Sequence, residues 1–424
     1  MTAKILIIRL MDKIFTKLLS LSLLTMPAFV LTVHHGVSIA ALPILLLSLI
    51  VLKYRYPIDI SLNKKEKILI FSLVFLPVVI SLDVILRGVS FRYLDYYLRF
   101  ILVIPVFFAL REVQVNLTPL ILGIVVGSIG GGLFSLYEIY YLNNLRLMDY
   151  VTLGYMAKIN FGNISLLLGM MSLAGLFIVN DIRYKKTFYI VTLLAFILGV
   201  TGSVLSGARG SWIAIPFFIG LFIMYFPVSR FYKIISVVIL IVLMVLTYYS
   251  RDYVKSRVDH AYKETAAYYN SDPDAANTPT GTRLELWKVA RIMVVEHPLF
   301  GIGSGQFKQA LKEKIDTGEI KKIHLYSHVH NEPLQILVTT GIIGFLAYLI
   351  LYVGVAYYFY SSLIASNIKR VRYLSFLGIM TVGAYFIFGL TNYTFGHHVM
   401  ILFFAVMVAV FAGMISSIEY KIKE

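Results

Sequence analysis

Cysteine is absent from all 424 residues. Without thiols there is no disulfide framework and no thiolate metal site, so stability rests on helix packing. Charge is scarce as well: Asp, Glu, Lys and Arg make up 14% of the chain against 59% hydrophobic residues, and the mean hydropathy is +0.82. A soluble domain must present a polar surface, and this composition excludes one. Acidic residues are the scarcer sign, 22 against 38 Lys and Arg, which leaves a formal charge of +16. No periodic repeat and no low-complexity tract interrupts the pattern.

What the chain has instead is long apolar runs. A helix crosses a bilayer with about 20 apolar residues, and runs of that kind lie near residues 15–33, 36–53, 67–86, 97–111, 117–141, 161–181, 187–206, 210–227, 230–249, 333–360, 371–390 and 398–418. Hydropathy therefore predicts an all-α polytopic membrane protein of about twelve transmembrane helices. Lys4, Arg9, Lys13 and Lys17 before the first run resemble the basic start of a signal peptide. No small-x-small cleavage site follows and a second span begins almost at once, which favours a retained helix.

The positive-inside rule sets the orientation. With the N-terminus cytoplasmic, the inner links hold Lys53, Arg55, Lys64, Lys65 and Lys67, then Arg111, then Arg183, Lys185 and Lys186, then Arg230 and Lys233. Lys369, Arg370, Arg372, Lys421 and Lys423 complete the set. Both termini are then cytoplasmic, and much of the net charge is topology rather than a nucleic-acid footprint. The expected organisation is spans one to nine in residues 1–249, a large outer loop at 250–332, and spans ten to twelve with a short tail in 333–424.

Arg87, Arg92, Arg99, Arg146, Lys158 and Arg209 oppose that bias by falling at or near the outer face. Snorkelling to phosphate headgroups accounts for residues such as Arg87, Arg146 and Lys158. Helical spacing puts Arg92, Asp95, Tyr96 and Arg99 on one face, which reads either as a structural ion pair or as two arginines oriented toward an anion. The run Gly123, Gly127, Gly130, Gly131, Gly132 is a close-packing surface of the small-xxx-small type, with no chemistry assigned. Between the seventh and eighth spans, Ser206-Gly207-Ala208-Arg209-Gly210-Ser211-Trp212 forms a small-residue turn. It presents Arg209 for bidentate capture of an anion, the plainer reading being an interfacial anchor beside Trp212.

The outer loop begins with charged, helical turns and passes through a turn-rich stretch at 270–279. From Thr282, as N-cap, residues 283–296 read as an amphipathic helix ended by His297-Pro298. That places Arg283 in a first turn, where the helix dipole disfavours a cation unless a partner such as phosphate holds it. Three motifs are set aside. Gly301-Ile302-Gly303-Ser304-Gly305 lacks the βαβ context of a phosphate loop and reads as a turn. Asp272-Pro273-Asp274 lies in a Pro-rich loop facing away from nucleotide sugars. His324, His328 and His330 suggest zinc, but no carboxylate completes a ligand set.

The segment His328-Val329-His330-Asn331-Glu332-Pro333 leads into the tenth span, which carries Gly341 and Gly344. It sets an imidazole at the mouth of a membrane helix, where a base with pKa near neutrality suits proton transfer. The plainer reading is a helix cap, since Pro333 is well placed to start a helix. The pattern His330-Asn331, nine residues, then Gly341 resembles the His-Asn/Ser/Gln-x9-Gly signature of bacterial O-antigen ligases. The resemblance extends to most of the chain: the number of spans, the large loop before the antepenultimate span, the Arg209 turn, and Arg283 in its Thr-Arg-Leu context.

The resemblance implies a GT-C-like membrane enzyme without cofactor or metal. It implies transfer of O-antigen from undecaprenyl diphosphate to the lipid A-core oligosaccharide at the periplasmic face of the inner membrane. It further implies His330 as catalytic base, Arg209, Arg283, Arg92 and Arg99 at the diphosphate, and Asn331, Ser211 and His328 in support. Membrane lipids are the other partners, and nucleic acid is not one. O-antigen polymerases and protein O-oligosaccharyltransferases share the broader domain. The short tail after the last span favours the ligase. A transporter for the same lipid-linked anion is the alternative of another class, and it would place its ionisable residues near the bilayer midplane.

Overall fold

The computed structural model describes residues 2–55, 60–141, 156–181, 184–225, 252–270 and 275–421. Within lipid a backbone satisfies its polar groups only inside its own segment, so long apolar runs become helices. The first half contains α1 (Thr2–Ser22), α2 (Thr25–Phe29), α3 (Gly36–Tyr54), α4 (Lys64–Arg87), α5 (Arg92–Leu102), α6 (Ile104–Glu112) and α7 (Thr118–Leu136). Next come α8 (Lys158–Ala174), α9 (Lys185–Leu205), α10 (Arg209–Trp212) and α11 (Ile215–Tyr225). The loop contributes α12 (Asp252–Tyr269), α13 (Pro279–Glu296) and α14 (Phe307–Asp316), and the chain closes with α15 (Glu332–Ala365), α16 (Lys369–Gly389) and α17 (His398–Tyr420). Among the described residues nine helical stretches are long and apolar enough to cross a membrane. The chain is an all-α polytopic membrane protein.

Three predicted spans take a different form. Residues 15–33 are not one helix: α1 starts at Thr2, carries five charged residues, and ends at Ser22, after which the short α2 begins. Pro27 falls in the first turns of α2, where its missing N–H leaves no ladder bond broken. The span expected at 97–111 begins at Arg92 and is interrupted at Val103, two residues before Pro105 at the start of α6. The span expected at 210–227 is the broken pair α10 and α11. The span expected at 230–249 lies outside the described residues, as do Arg146, Asp272 and Asp274.

Helix α17 is the axis of the bundle: 94% of its most apolar stretch is buried, against 28% for α9, which faces outward. Helices α6, α16, α5 and α3 pack around it, and α15 lies between α4 and α16. The glycines of α7 do what their spacing promised. A Cβ on Gly127 would sit 1.9 Å from the Pro27 carbonyl oxygen, so α7 and α2 touch backbone to backbone.

One end of the bundle is held by charge. Lys65 reaches Glu419 at 2.5 Å and Ser362 at 2.7 Å, Arg111 donates to the Ser61 carbonyl at 2.6 Å, and Arg55 forks onto Asp12 at 2.8 Å. At about 1.5 Å per residue the long leg of α15, residues 342–365, runs about 36 Å away from that end. The loop helices lie at the far end around a second core, in which Leu286, Val289, Ala290 and Met293 form the apolar stripe of α13 against Phe307, Leu311 and Val338.

Candidate active site

Residue 341 explains how the loop and the bundle become one body. Gly341 breaks α15 with φ 63° and ψ −163°, a region essentially reserved for glycine. The backbone of 298–303 fills the gap: Ile342 N donates to Pro298 O at 2.9 Å, Ile302 N to Val338 O at 2.9 Å, and Gly303 N to Thr339 O at 2.8 Å. Arg87 clamps this plug, donating to the carbonyls of Phe300 and Gly301 at 3.0 Å each and to Asp83 at 2.7 Å, while Asp83 accepts from Ser304 N at 2.9 Å. The headgroup role expected of Arg87 gives way to this one, which joins residues 213 and 214 apart. The Gly301–Gly305 stretch is the turn expected, with a structural task its sequence did not reveal.

The short first leg of α15 carries His330 at its mouth. Asn331 is the N-cap, its Oδ1 accepting from Leu334 N at 2.9 Å and its Nδ2 donating to Leu390 O at 3.0 Å. Val329 is pinned on both sides, its N–H to Gln335 Oε1 at 2.9 Å and its carbonyl to Trp287 Nε1 at 3.1 Å. Between these fixed neighbours His330 takes φ 53°, uncommon for a residue with a side chain, and its N–H donates to His328 Nδ1 at 3.3 Å. Its own Nδ1 is buried and has no hydrogen-bond partner among the described residues. Capping thus belongs to Asn331, and no hydrogen bond among the described residues engages His330 Nδ1.

The His330 ring stands 4.3 Å from that of His328, which lies 6.5 Å from His397 and 5.6 Å from Tyr393. Burial, then Arg283, then His397 bring His330 down to about 4; burial, then His330 and His397, bring His328 to about 3. Burial lowers His397 as well. All three are neutral at pH 7, each with one ring nitrogen able to accept. No group of three or more His, Asp or Glu among the described residues converges as a metal site.

Arg283 acts on this cluster, and Arg209 acts on Arg283 from a separate element. Arg283 is half-buried on α13, lowered by burial and then by the like charge of Arg209, and it acts in turn on His330. No carboxylate pairs with Arg283 among the described residues. The cap of α13 is Thr278 rather than Thr282, accepting from Gly281 N at 3.1 Å with Pro279 behind it. Arg283 therefore sits in the second turn, and what makes it costly is burial beside Arg209 rather than the helix dipole. Arg209 starts α10 on a turn stapled by hydroxyls: Ser206 Oγ accepts from Ala208 N at 3.2 Å, and Ser211 Oγ donates to Ala208 O at 2.6 Å. Ser211 is wholly buried, so its part is to hold the turn. Gly210 lies against Thr391, beside the Leu390 carbonyl that Asn331 holds.

The other pair of arginines divides. Arg99 is buried, bonded to Asp95 at 2.6 Å and the His398 carbonyl at 3.3 Å, and lies over the Tyr96 ring. Arg92 is exposed and lines a cavity of about 300 Å³ together with His328. A second cavity, about 810 Å³, lies beyond His397 and is lined by Lys158, Asn160 and His398 among apolar side chains. Glu332 was missed by sequence reading. Fully buried in the first turn of α15, it accepts from the Thr394 hydroxyl and from Phe395 N at 3.0 Å, tying the His397 loop to the helix of His330. A carboxylate opening an apolar run was the signal.

Residues 194–349 match the family model described as O-antigen ligase. That range includes Arg209, Arg283, His330 and Gly341. A protein of Haemophilus influenzae described as uncharacterized is 26% identical over 361 residues, which cover 84% of this chain and 88% of that protein.

Proposed function

From the O-antigen ligase family domain that the chain carries at residues 194–349, we propose that it is a glycosyltransferase. In this reading it transfers O-antigen from undecaprenyl diphosphate to the lipid A-core oligosaccharide at the periplasmic face of the inner membrane. One observation carries it: two guanidiniums and a neutral imidazole with an unpartnered Nδ1 are gathered from α10, α13 and the mouth of α15 at one end of the bundle. Half-buried Arg283, with no carboxylate paired to it among the described residues, calls for an anion, and a planar fork suits a diphosphate.

The reaction needs little else from the protein. The acceptor oxygen attacks the anomeric carbon of the donor, its proton passes to His330, and the carbon–oxygen bond to the diphosphate breaks. The electron pair leaves with the diphosphate, where Arg209 and Arg283 offset the growing charge. One displacement inverts the anomeric centre, without metal and without a covalent intermediate. In the resting site Arg283 opposes protonation of His330. Bound diphosphate offsets that charge, so the imidazole becomes a stronger base when the donor is in place. A transporter is less well served, because these groups sit at one end of the bundle and not at its middle.

The test is complementation of a deletion strain, read from its lipopolysaccharide at matched protein levels. Loss of the gene should leave bare core and accumulate polymer on carrier lipid; single-repeat chains would indicate a polymerase instead. His330→Ala and His330→Asn should both fall by about 10²–10⁴-fold in rate. Near-normal ligation by His330→Asn would sink the base assignment.

A further inference from the structure

We propose that the cavity on the His328 flank binds a saccharide bearing a phosphate or carboxylate and serves as the acceptor subsite. The term acceptor rests on the transferase reading above; the binding of the sugar does not. The cavity measures about 300 Å³, at the lower end of small-ligand pockets. It matches one or two sugar rings and excludes a polymer or a lipid chain.

Its walls have the chemistry of sugar recognition. Tyr93, Tyr96 and Tyr393 line it, and Tyr93 leaves an exposed ring for the apolar face of a pyranose. The polar groups are fixed before any ligand arrives. Gln335 spends its Oε1 on Val329 N at 2.9 Å, so its Nε2 is oriented as a donor toward the pocket it lines. His328 spends Nδ1 on His330 N at 3.3 Å, which puts its proton on Nε2. Arg92, exposed and without an ion pair among the described residues, adds a cation at the rim. Neither Arg209 nor Arg283 is among the lining residues.

Position links the cavity to the chemistry. His328 forms part of its wall, and the His328 ring lies 4.3 Å from that of His330. A sugar seated there is held beside the base, on a different flank from the paired arginines, and its reacting hydroxyl projects past the His328 ring to hand its proton to His330. This reassigns Arg92 from the leaving group to the incoming one.

The experiment measures binding at equilibrium, apart from turnover. Full-length protein in nanodiscs, carrying His330→Ala to prevent reaction, is titrated with delipidated bacterial core oligosaccharide, phosphorylated or enzymatically dephosphorylated. The expected result is saturable binding that weakens by about tenfold or more in Tyr93→Ala. Dephosphorylation should weaken it similarly, Arg92→Ala should remove that phosphate preference, and Arg92→Lys should restore part of it. Unfolding midpoints of the variants are followed alongside. Binding indifferent to Tyr93→Ala and Arg92→Ala, or no binding at millimolar sugar, overturns the proposal. Sugar binding in a protein whose wild type transfers nothing would keep the cavity and remove the transferase reading.

Discussion

Burial, Arg283 and His397 together bring His330 down to about 4, and this sets the form of its pH dependence. As the proposed base, His330 acts in its neutral form. In the free enzyme it is fully populated above that value and lost only as pH falls through it. An ordinary imidazole would begin losing its base form near 6.5. The kcat/KM for transfer should therefore stay level from pH 8 down to about 5, and its acid limb should appear near 4. Arg283→Gln removes one of the groups that lower His330, so whatever activity remains should show that limb displaced upward. A limb near 6.5 in the wild type would mean that the titrating base is not this residue. His330 and the two arginines were legible as residue types, and the structure gathers them at one end of the bundle. The contacts that hold them were not, because Asn331 meets Leu390 and Asp83 meets Ser304 across 59 and 221 residues.

At the scale of elements, the break in α15 is the feature to test. Alanine at 341 must adopt a backbone geometry that costs about 1–3 kcal/mol, and its Cβ would lie 2.3 Å from the Leu299 carbonyl. Gly341→Ala should lower the unfolding midpoint in detergent and abolish transfer. Gly220 in α11 is the control, since a Cβ there meets nothing within 4 Å. Gly220→Ala should be neutral or slightly stabilising, as expected for an open helical position. Equal behaviour of the two variants would mean that the break is not required. The glycine was visible in the sequence, and so was the Thr-Pro pair that starts α13. The charge of α1 was visible too, but a hydropathy window averages over such breaks and passes on to the next apolar run. Helices with unbroken hydrophobic stretches, such as α4, α9 and α17, followed the expected bounds within a few residues.

For the whole molecule, the absence of cysteine gives a clean measure of orientation. Lys322 and Asn367 are both exposed, one in the loop region near the site and the other between α15 and α16 at the opposite end. With the site facing the periplasm, a membrane-impermeant maleimide should label Lys322→Cys and spare Asn367→Cys in cells whose outer membrane is permeable. The reverse pattern would overturn the orientation. The plug in α15 also imposes an order of biogenesis. Residues 298–303 leave the ribosome before 338–342, the backbone they pair with. Until the later segment emerges, residues 298–303 have no backbone at 338–342 to pair with, and Arg87 on the earlier α4 can hold only an unlocked loop by its Phe300 and Gly301 carbonyls. Maturation of the site thus waits on the third helix from the end of the chain, and nascent chains stalled before it should remain protease-sensitive between α13 and α14.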